Sequence, residues 1–333
     1  MPEGFTAILI AVLALAVIFD YINGFHDTAN AIATSVSTRA LKPSWAIGMS
    51  AAANFVGALT GTEVAKTVGA GLVQPQAEGQ LVVAAALVGA IFWNLFTWRL
   101  GIPSSSSHAL IGGLLGSSAA AAGLGSWQLE GILVKVVVPL VSSSIIGFLL
   151  GLTLMIVIFN LFRRANPHFM NDTFRRLQVV SAGYMAFSHG SNDAQKTMGI
   201  MTLALVTAGV LPEFKVPLWV ILIAATAISL GTAAGGWRII KTMGTKVVKL
   251  DPVHGFAAET TAATIIFGAS HFGMPVSTTH VISSAIMGTG ASDRFKSVRW
   301  GVARNIGIAW VLTIPASGIA AALAYIVLSP ILG

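Results

Sequence analysis

The chain of 333 residues contains no cysteine, so it holds no disulfide and no thiolate metal centre, and the redox state of its compartment stays open. Charge is scarce as well. Asp, Glu, Lys and Arg together make up 9% of the residues, where a soluble domain carries about a quarter. That excludes an ordinary water-facing surface. No long polar domain, linker or low-complexity tract interrupts the sequence, and no Walker motif offers a nucleotide site. The net charge of +7 would suit nucleic acid. The basic residues fall in short loops between apolar segments, however, where the positive-inside rule accounts for them, so no nucleic-acid partner is expected.

What remains is 55% hydrophobic. Runs that approach or exceed the span of a bilayer core, about 20 residues, include Phe5 to Phe19 with its continuation, Ser44 to Gly61, Leu81 to Leu100, Gly131 to Phe162, Val216 to Gly235 and Gly301 to Leu328. The first run is expected to stay in the mature chain, because no basic stretch precedes it and the polar residues from Asp20 to Asn30 stand where a cleavage site would. The expectation is an all-α polytopic membrane protein, multi-pass in the inner (plasma) membrane and bathed in lipid.

The sequence repeats itself. Gly24-Phe-His-Asp-Thr-Ala-Asn30 has a counterpart in Gly190-Ser-Asn-Asp-Ala-Gln-Lys196, and Gly101-Ile-Pro-Ser-Ser-Ser-Ser-His108 has one in Gly273-Met-Pro-Val-Ser-Thr-Thr-His280. A weaker echo relates the stretches beginning at Lys66 and Lys241. Three matches in the same order divide the chain into two repeats, 1–166 and 167–333. Loop charge orients them. The loop from Thr62 to Gln80 carries Glu63, Lys66 and Glu78, whereas its equivalent from Trp237 to Asp251 carries Arg238, Lys241, Lys246 and Lys249 with one acid. The loop from Gly125 to Gly131 has only Glu130, but its equivalent has Arg294, Lys296 and Arg299 against Asp293. Opposite sides for equivalent loops require inverted topology. About five transmembrane segments per repeat, ten to twelve in all, would place Arg163, Arg164, Arg175 and Arg176 in the cytoplasm and both termini outside.

Both repeated motifs place polar residues with glycine or proline inside membrane-embedded stretches. Broken or re-entrant helices are expected at each, since irregular backbone survives there only against protein or a watery cavity. The amino end of a half-helix offers free N–H groups and partial positive charge to an anion. Pro103 and Pro275 suit the first turn of such a helix, and Ser104, Ser105, Ser106 and Ser107 with Ser277, Thr278 and Thr279 add rotatable donors for several oxyanion oxygens.

Asp27 and Asp193 cost at least about 2.5 kcal/mol each at mid-membrane. An acid beside an anion repels it unless a cation intervenes, which makes such a site a coupling device. Asn30 and broken-helix carbonyls suit a hard cation, and Asn23 and Asn192 stand close by. In the second repeat Lys196 replaces Asn30, and its ammonium can occupy the place of a metal ion beside Asp193, a hint of proton coupling. His26, His108, His189 and His280 point weakly the same way. Asp20 and Glu259 are further acids in apolar surroundings, and Lys66 and Lys241 read as interfacial, snorkelling residues.

The signatures Gly24-Phe-His-Asp-Thr-Ala-Asn-Ala-Ile-Ala-Thr34 and His189-Gly-Ser-Asn-Asp-Ala-Gln-Lys-Thr-Met-Gly199, with both Pro-Ser/Thr-His segments, resemble those of the inorganic phosphate transporter (PiT) family along essentially the full length. The resemblance implies an inverted-repeat fold, symport of inorganic phosphate with H+ or Na+, and a homodimer. It assigns the substrate to Ser104–Ser107 and Ser277–Thr279, and the cation to Asp27, Asn30 and Asp193, which would be the metal ligands if Na+ or a divalent ion binds. The residues add Asn192 and Lys196 on the substrate side, Asn23 and His26 on the cation side, and His108, His280 and Glu259 as secondary candidates. Lys196, where sodium-coupled members generally have asparagine, places the chain nearer the bacterial low-affinity proton-coupled type, some of which carry a metal–phosphate complex. No cofactor is implied.

Sodium-coupled phosphate symport and sulfate symport are the alternatives within the family. Outside it, an intramembrane hydrolase built on Ser105 and His108 would need one asymmetric catalytic set, which the duplication argues against. An anion channel would not need broken, repeated segments.

Overall fold

The computed structural model describes residues 6–70 and 79–332, and every regular element among them is helical. Phe5 and Glu78, used above, lie outside the described residues. The first half contains α1 (Ala7–Ser37), α2 (Pro43–Ala58), α3 (Glu63–Ala70), α4 (Gln80–Leu100), α5 (Ser106–Ala122) and α6 (Leu129–Leu161). The second contains α7 (Pro167–Thr207), α8 (Leu218–Ala234), α9 (Trp237–Lys246), α10 (Pro252–His271), α11 (Thr278–Asp293) and α12 (Trp300–Leu332). α1, α4, α6 and α12 are each long and apolar enough to cross a membrane alone, and α8 with α9 forms another such span, bent by 61°. The chain is a multi-pass membrane protein.

Packing between the halves is reciprocal. α1 packs against α8 and α9 as α7 packs against α2 and α3, and the α4–α5 pair rests on α12 as the α10–α11 pair rests on α6. α6 and α12 form the rim, their spans only 22% and 17% buried, and show residues such as Val141, Ile145, Leu149, Val311, Ile319 and Leu323 to the outside. In lipid such a face is satisfied without a protein partner.

α1 and α7 form the centre. On α1 the polar residues Asp20, Asn23, His26, Asp27, Asn30 and Thr34 recur every three to four positions and are all buried. That period puts them on one face of the helix, here the inner one. On α7, Gln178, Ser181, His189, Asp193 and Lys196, spaced three, four or eight apart, are buried on one face as well. The helices thus turn polar stripes inward and leave aliphatic side chains outward, the reverse of a soluble amphipathic helix.

Two expectations are corrected. The Gly24–Asn30 and Gly190–Lys196 motifs do not break their helices: α1 and α7 run straight through them. Their glycines serve close approach instead, because a Cβ on Gly24 would lie 2.2 Å from the Ile228 carbonyl oxygen of α8, and one on Gly190 would lie 2.2 Å from that of Asn54 on α2. Of the two repeated motifs, only the proline segments interrupt helices. There Pro103 and Pro275 sit in the extended connection, ahead of the caps Ser105 and Ser277, rather than in the first helical turn. Gly101 and Gly273 end the preceding helices with φ of 67° and 66°, a left-handed conformation that costs glycine nothing.

Candidate functional site

The two helical hairpins α4–α5 and α10–α11 bring the amino ends of α5 and α11 to the middle of α1 and α7. Ser105 Oγ accepts from the His108 amide at 3.2 Å, and Ser277 Oγ accepts from the His280 amide at 3.2 Å. These two serines therefore cap their helices. The residues that follow turn toward the carboxylates. Ser106 donates to Asp27 Oδ2 at 2.6 Å, and its counterpart Thr278 donates to Asp193 Oδ2 at 3.1 Å. Asn30 of α1 reaches across to α11, donating to Thr279 Oγ1 at 2.9 Å and Thr278 Oγ1 at 3.3 Å. First-turn amides at both helix starts have no partner within their own helices.

The charges interlock. Lys196 Nζ donates to Asp193 Oδ1, to the Ser107 hydroxyl of the opposite half, and to the Val276 carbonyl at 3.1 Å. His26 Nδ1 lies 2.6 Å from Asp27 Oδ1. His189 Nε2 stands between the two acids, 3.1 Å from Asp193 Oδ2 and 4.0 Å from Asp27 Oδ2. Its Nδ1 is held 3.0 Å from Asn54 Oδ1, and Asn54 in turn donates to Thr232 Oγ1 at 2.9 Å. Every one of these groups is buried. With both imidazoles neutral the cluster carries two negative charges and one positive.

Among the described residues, Asp27, His189 and Asp193 present ligand atoms within 4.8 Å of one another, close enough to hold one cation. The donor set is mixed, and Lys196 already occupies one oxygen of Asp193, which leaves fewer oxygens for a hard metal ion. Asn30, expected as a metal ligand, has its amide group turned to the α11 hydroxyls.

Asp27, Asp193, Asn30, Lys196, His26, Ser106, Ser107, Thr278 and Thr279 therefore meet in one cluster. Ser104 lies at its edge, 2.8 Å from Thr97 Oγ1, which also holds His26 Nε2 at 3.2 Å. Asn192 faces away, donating to Ser270 Oγ at 2.9 Å and the Met274 carbonyl at 3.3 Å. Asn23 Oδ1 has no partner in the cluster. His108 and His280 stack on each other, ring centroids 4.9 Å apart, and His280 stacks on Trp310 at 3.9 Å. Glu259 forms a separate centre, accepting from the Thr34 and Ser181 hydroxyls and from Gln178 Nε2 at 3.2 Å. Sequence reasoning gave His189 only the weak role of any histidine and missed Asn54, Thr34, Gln178 and Ser181. For His189 a signal existed, because it lies one helical turn before Asp193 and so shares its face. Thr34 closes the first signature without having been given a role, and Asn54, Gln178 and Ser181 carry no motif.

Paired carboxylates that face helix amino ends inside a multi-pass helical protein fit the class of membrane transport proteins. The chain belongs to the phosphate transporter family, whose pattern it matches over residues 23–321. Relatives include two proteins described as "Probable low-affinity inorganic phosphate transporter". One, from Bacillus subtilis (strain 168), is 52% identical over 97% of each chain; the other, from Rhizobium meliloti (strain 1021), is 50% identical over 96% of each. A solved structure titled "The sodium-dependent phosphate transporter" superimposes with a TM-score of 0.89 at 27% identity, over 98% of this chain and all of that one. The class is that of transporters, not enzymes, and the hydrolase reading is set aside.

Proposed function

We propose that the protein is a secondary carrier that imports inorganic phosphate by symport with a cation, H+ by preference, through two inverted repeats that expose the central cluster alternately to each side of the bacterial plasma membrane. The observation that carries the reading is the duplicated pairing of hairpin hydroxyl and carboxylate, Ser106 with Asp27 and Thr278 with Asp193. Phosphate would lie against the hydroxyls and free amides at the starts of α5 and α11, with Ser107, Thr279 and Lys196 beside it.

The acids make this binding conditional. Two unit charges 4 Å apart interact by about 4 kcal/mol at an effective dielectric constant near 20. Each unneutralised carboxylate would then weaken phosphate binding by about three decades. A proton held among Asp27, His189 and Asp193 removes that repulsion, so the loaded carrier takes both solutes or neither. Lys196 supports the proton over the metal ion, because its ammonium supplies a fixed positive charge on Asp193. The gradient suffices: each net positive charge moved inward gains about 2.3 kcal/mol per 100 mV, roughly fortyfold accumulation. A metal–phosphate complex would enter by the same route.

Sodium symport is the second reading, favoured by the name of the superimposed structure. Uptake of labelled phosphate into proteoliposomes, with pH and sodium gradients imposed separately and sulfate as competitor, decides. A pH gradient alone should drive accumulation that sulfate does not block. Accumulation with sodium alone would refute the proton, and block by sulfate would reassign the anion.

A further inference from the structure

Asp20 takes no part in the cluster described above. It lies on α1 seven residues before Asp27, which places it on the same face and about 10 Å away along the axis. The side chain is completely buried, and neither carboxylate oxygen has a hydrogen-bond partner. It faces the Thr197 hydroxyl of α7 and the Asn23 side chain of its own helix, and Thr197 Oγ1 and Asn23 Oδ1 are likewise unpartnered. The titratable groups within electrostatic reach are Asp193 and His189, both on α7. α4 and α8, also packed on α1, contribute aliphatic residues such as Leu87, Ala90, Ala224 and Ile228 to the same core as Phe19.

Two polar groups, the Thr197 hydroxyl and the Asn23 amide, lie beside the acid without closing a full hydrogen bond on it. A buried ionised carboxylate with neither a close hydrogen bond nor a cation beside it is costly, and the negative charge of Asp193 adds repulsion. One proton answers both problems, since the resulting acid can donate to Asn23 Oδ1 or Thr197 Oγ1. The repeated fold does not require the residue: the equivalent position in the second half is Ala186.

We propose that Asp20, with Asn23 and Thr197, forms a separate proton-loading station on the side of the central cluster that loop charge assigns to the exterior. This rests on the reading of the protein as a proton symporter. Loading takes one H+ from external water and turns the carboxylate into the carboxylic acid. Unloading passes that H+ to the Asp27–His189–Asp193 cluster, from which it leaves with phosphate to the cytoplasm, and regenerates the carboxylate.

The experiment compares the wild type, Asp20→Asn and Asp20→Glu in proteoliposomes with the membrane potential clamped at zero. In the wild type a step of one pH unit drives up to about tenfold accumulation of labelled phosphate per coupled proton. Asp20→Asn should lose this accumulation entirely while still exchanging labelled for unlabelled phosphate at equal pH, and Asp20→Glu should restore it. A wild type that accumulates phosphate only with sodium refutes proton symport and Asp20 with it. A proton-driven wild type matched by Asp20→Asn overturns the assignment of Asp20 alone, as does loss of exchange in both variants. Infrared spectroscopy gives an independent reading should the Asn variant not fold. A protonated-carboxyl band at neutral pH in the wild type, shifted in Asp20→Glu, is expected; its absence, or a band indifferent to the Glu substitution, overturns the proposal.

Discussion

Replacing Lys196 by asparagine tests the charge arrangement at the centre of the site. The substitution removes an ammonium that is 2% exposed and bonded to Asp193, Ser107 and the Val276 carbonyl. It leaves the Asp193 carboxylate buried with only Thr278 and His189 beside it. Removing one partner of a buried ion pair typically costs about 3–5 kcal/mol, because the other charge stays desolvated and uncompensated. A cation that enters the vacancy reverses part of that loss. At a hundred times its dissociation constant such a ligand stabilises the folded state by about 2.7 kcal/mol. Lys196→Asn should therefore melt well below the wild type in choline chloride, recover as sodium chloride replaces it, and show phosphate uptake that responds to a sodium gradient. Thermal unfolding in detergent, titrated with each salt at constant ionic strength, measures this directly. If the variant melts like the wild type in choline and ignores sodium, Lys196 does not act as a built-in cation on Asp193.

Asp27→Asn should abolish concentrative phosphate uptake while the purified protein keeps its melting temperature; wild-type uptake in this variant removes Asp27 from the mechanism. Gly190→Ala should destabilise by about 1–3 kcal/mol, the range for overpacking, because the new methyl would meet the Asn54 backbone of α2; an unchanged melt would show that α2 and α7 can separate freely. Asp251 caps α10, accepting from the Val253 and His254 amides at 2.9 and 3.0 Å. Burial alone would raise its carboxyl, but the His254 side chain and these amides together hold it below the usual carboxylate range. A depressed native pKa contributes stability above about pH 4 that disappears as pH falls. Asp251→Ala should accordingly cost about 1 kcal/mol at pH 7, the worth of a cap, and the gap to the wild type should close in acid; a gap independent of pH contradicts the role of the ionised carboxylate.

Composition and repetition determined much from the sequence alone. Apolar runs of bilayer length exist only to meet lipid, and a matched pair of Asp-bearing and Pro-Ser/Thr-His motifs is too ordered to arise by packing needs. The class of protein, the cluster of Asp27 with Asp193 and the hydroxyl-bearing helix starts were legible for that reason. Tertiary structure decided what the glycines and prolines do. A glycine reads as a break in one dimension, yet Gly24 and Gly190 turn out to seat one helix on the backbone of another, a need that arises only between elements. It also decided which polar residues are alone. The Asn54 that holds His189 and the Thr34, Gln178 and Ser181 that hold Glu259 lie far away in the chain, and the burial that makes an unpaired acid such as Asp20 costly is a property of the assembled bundle and not of the residue.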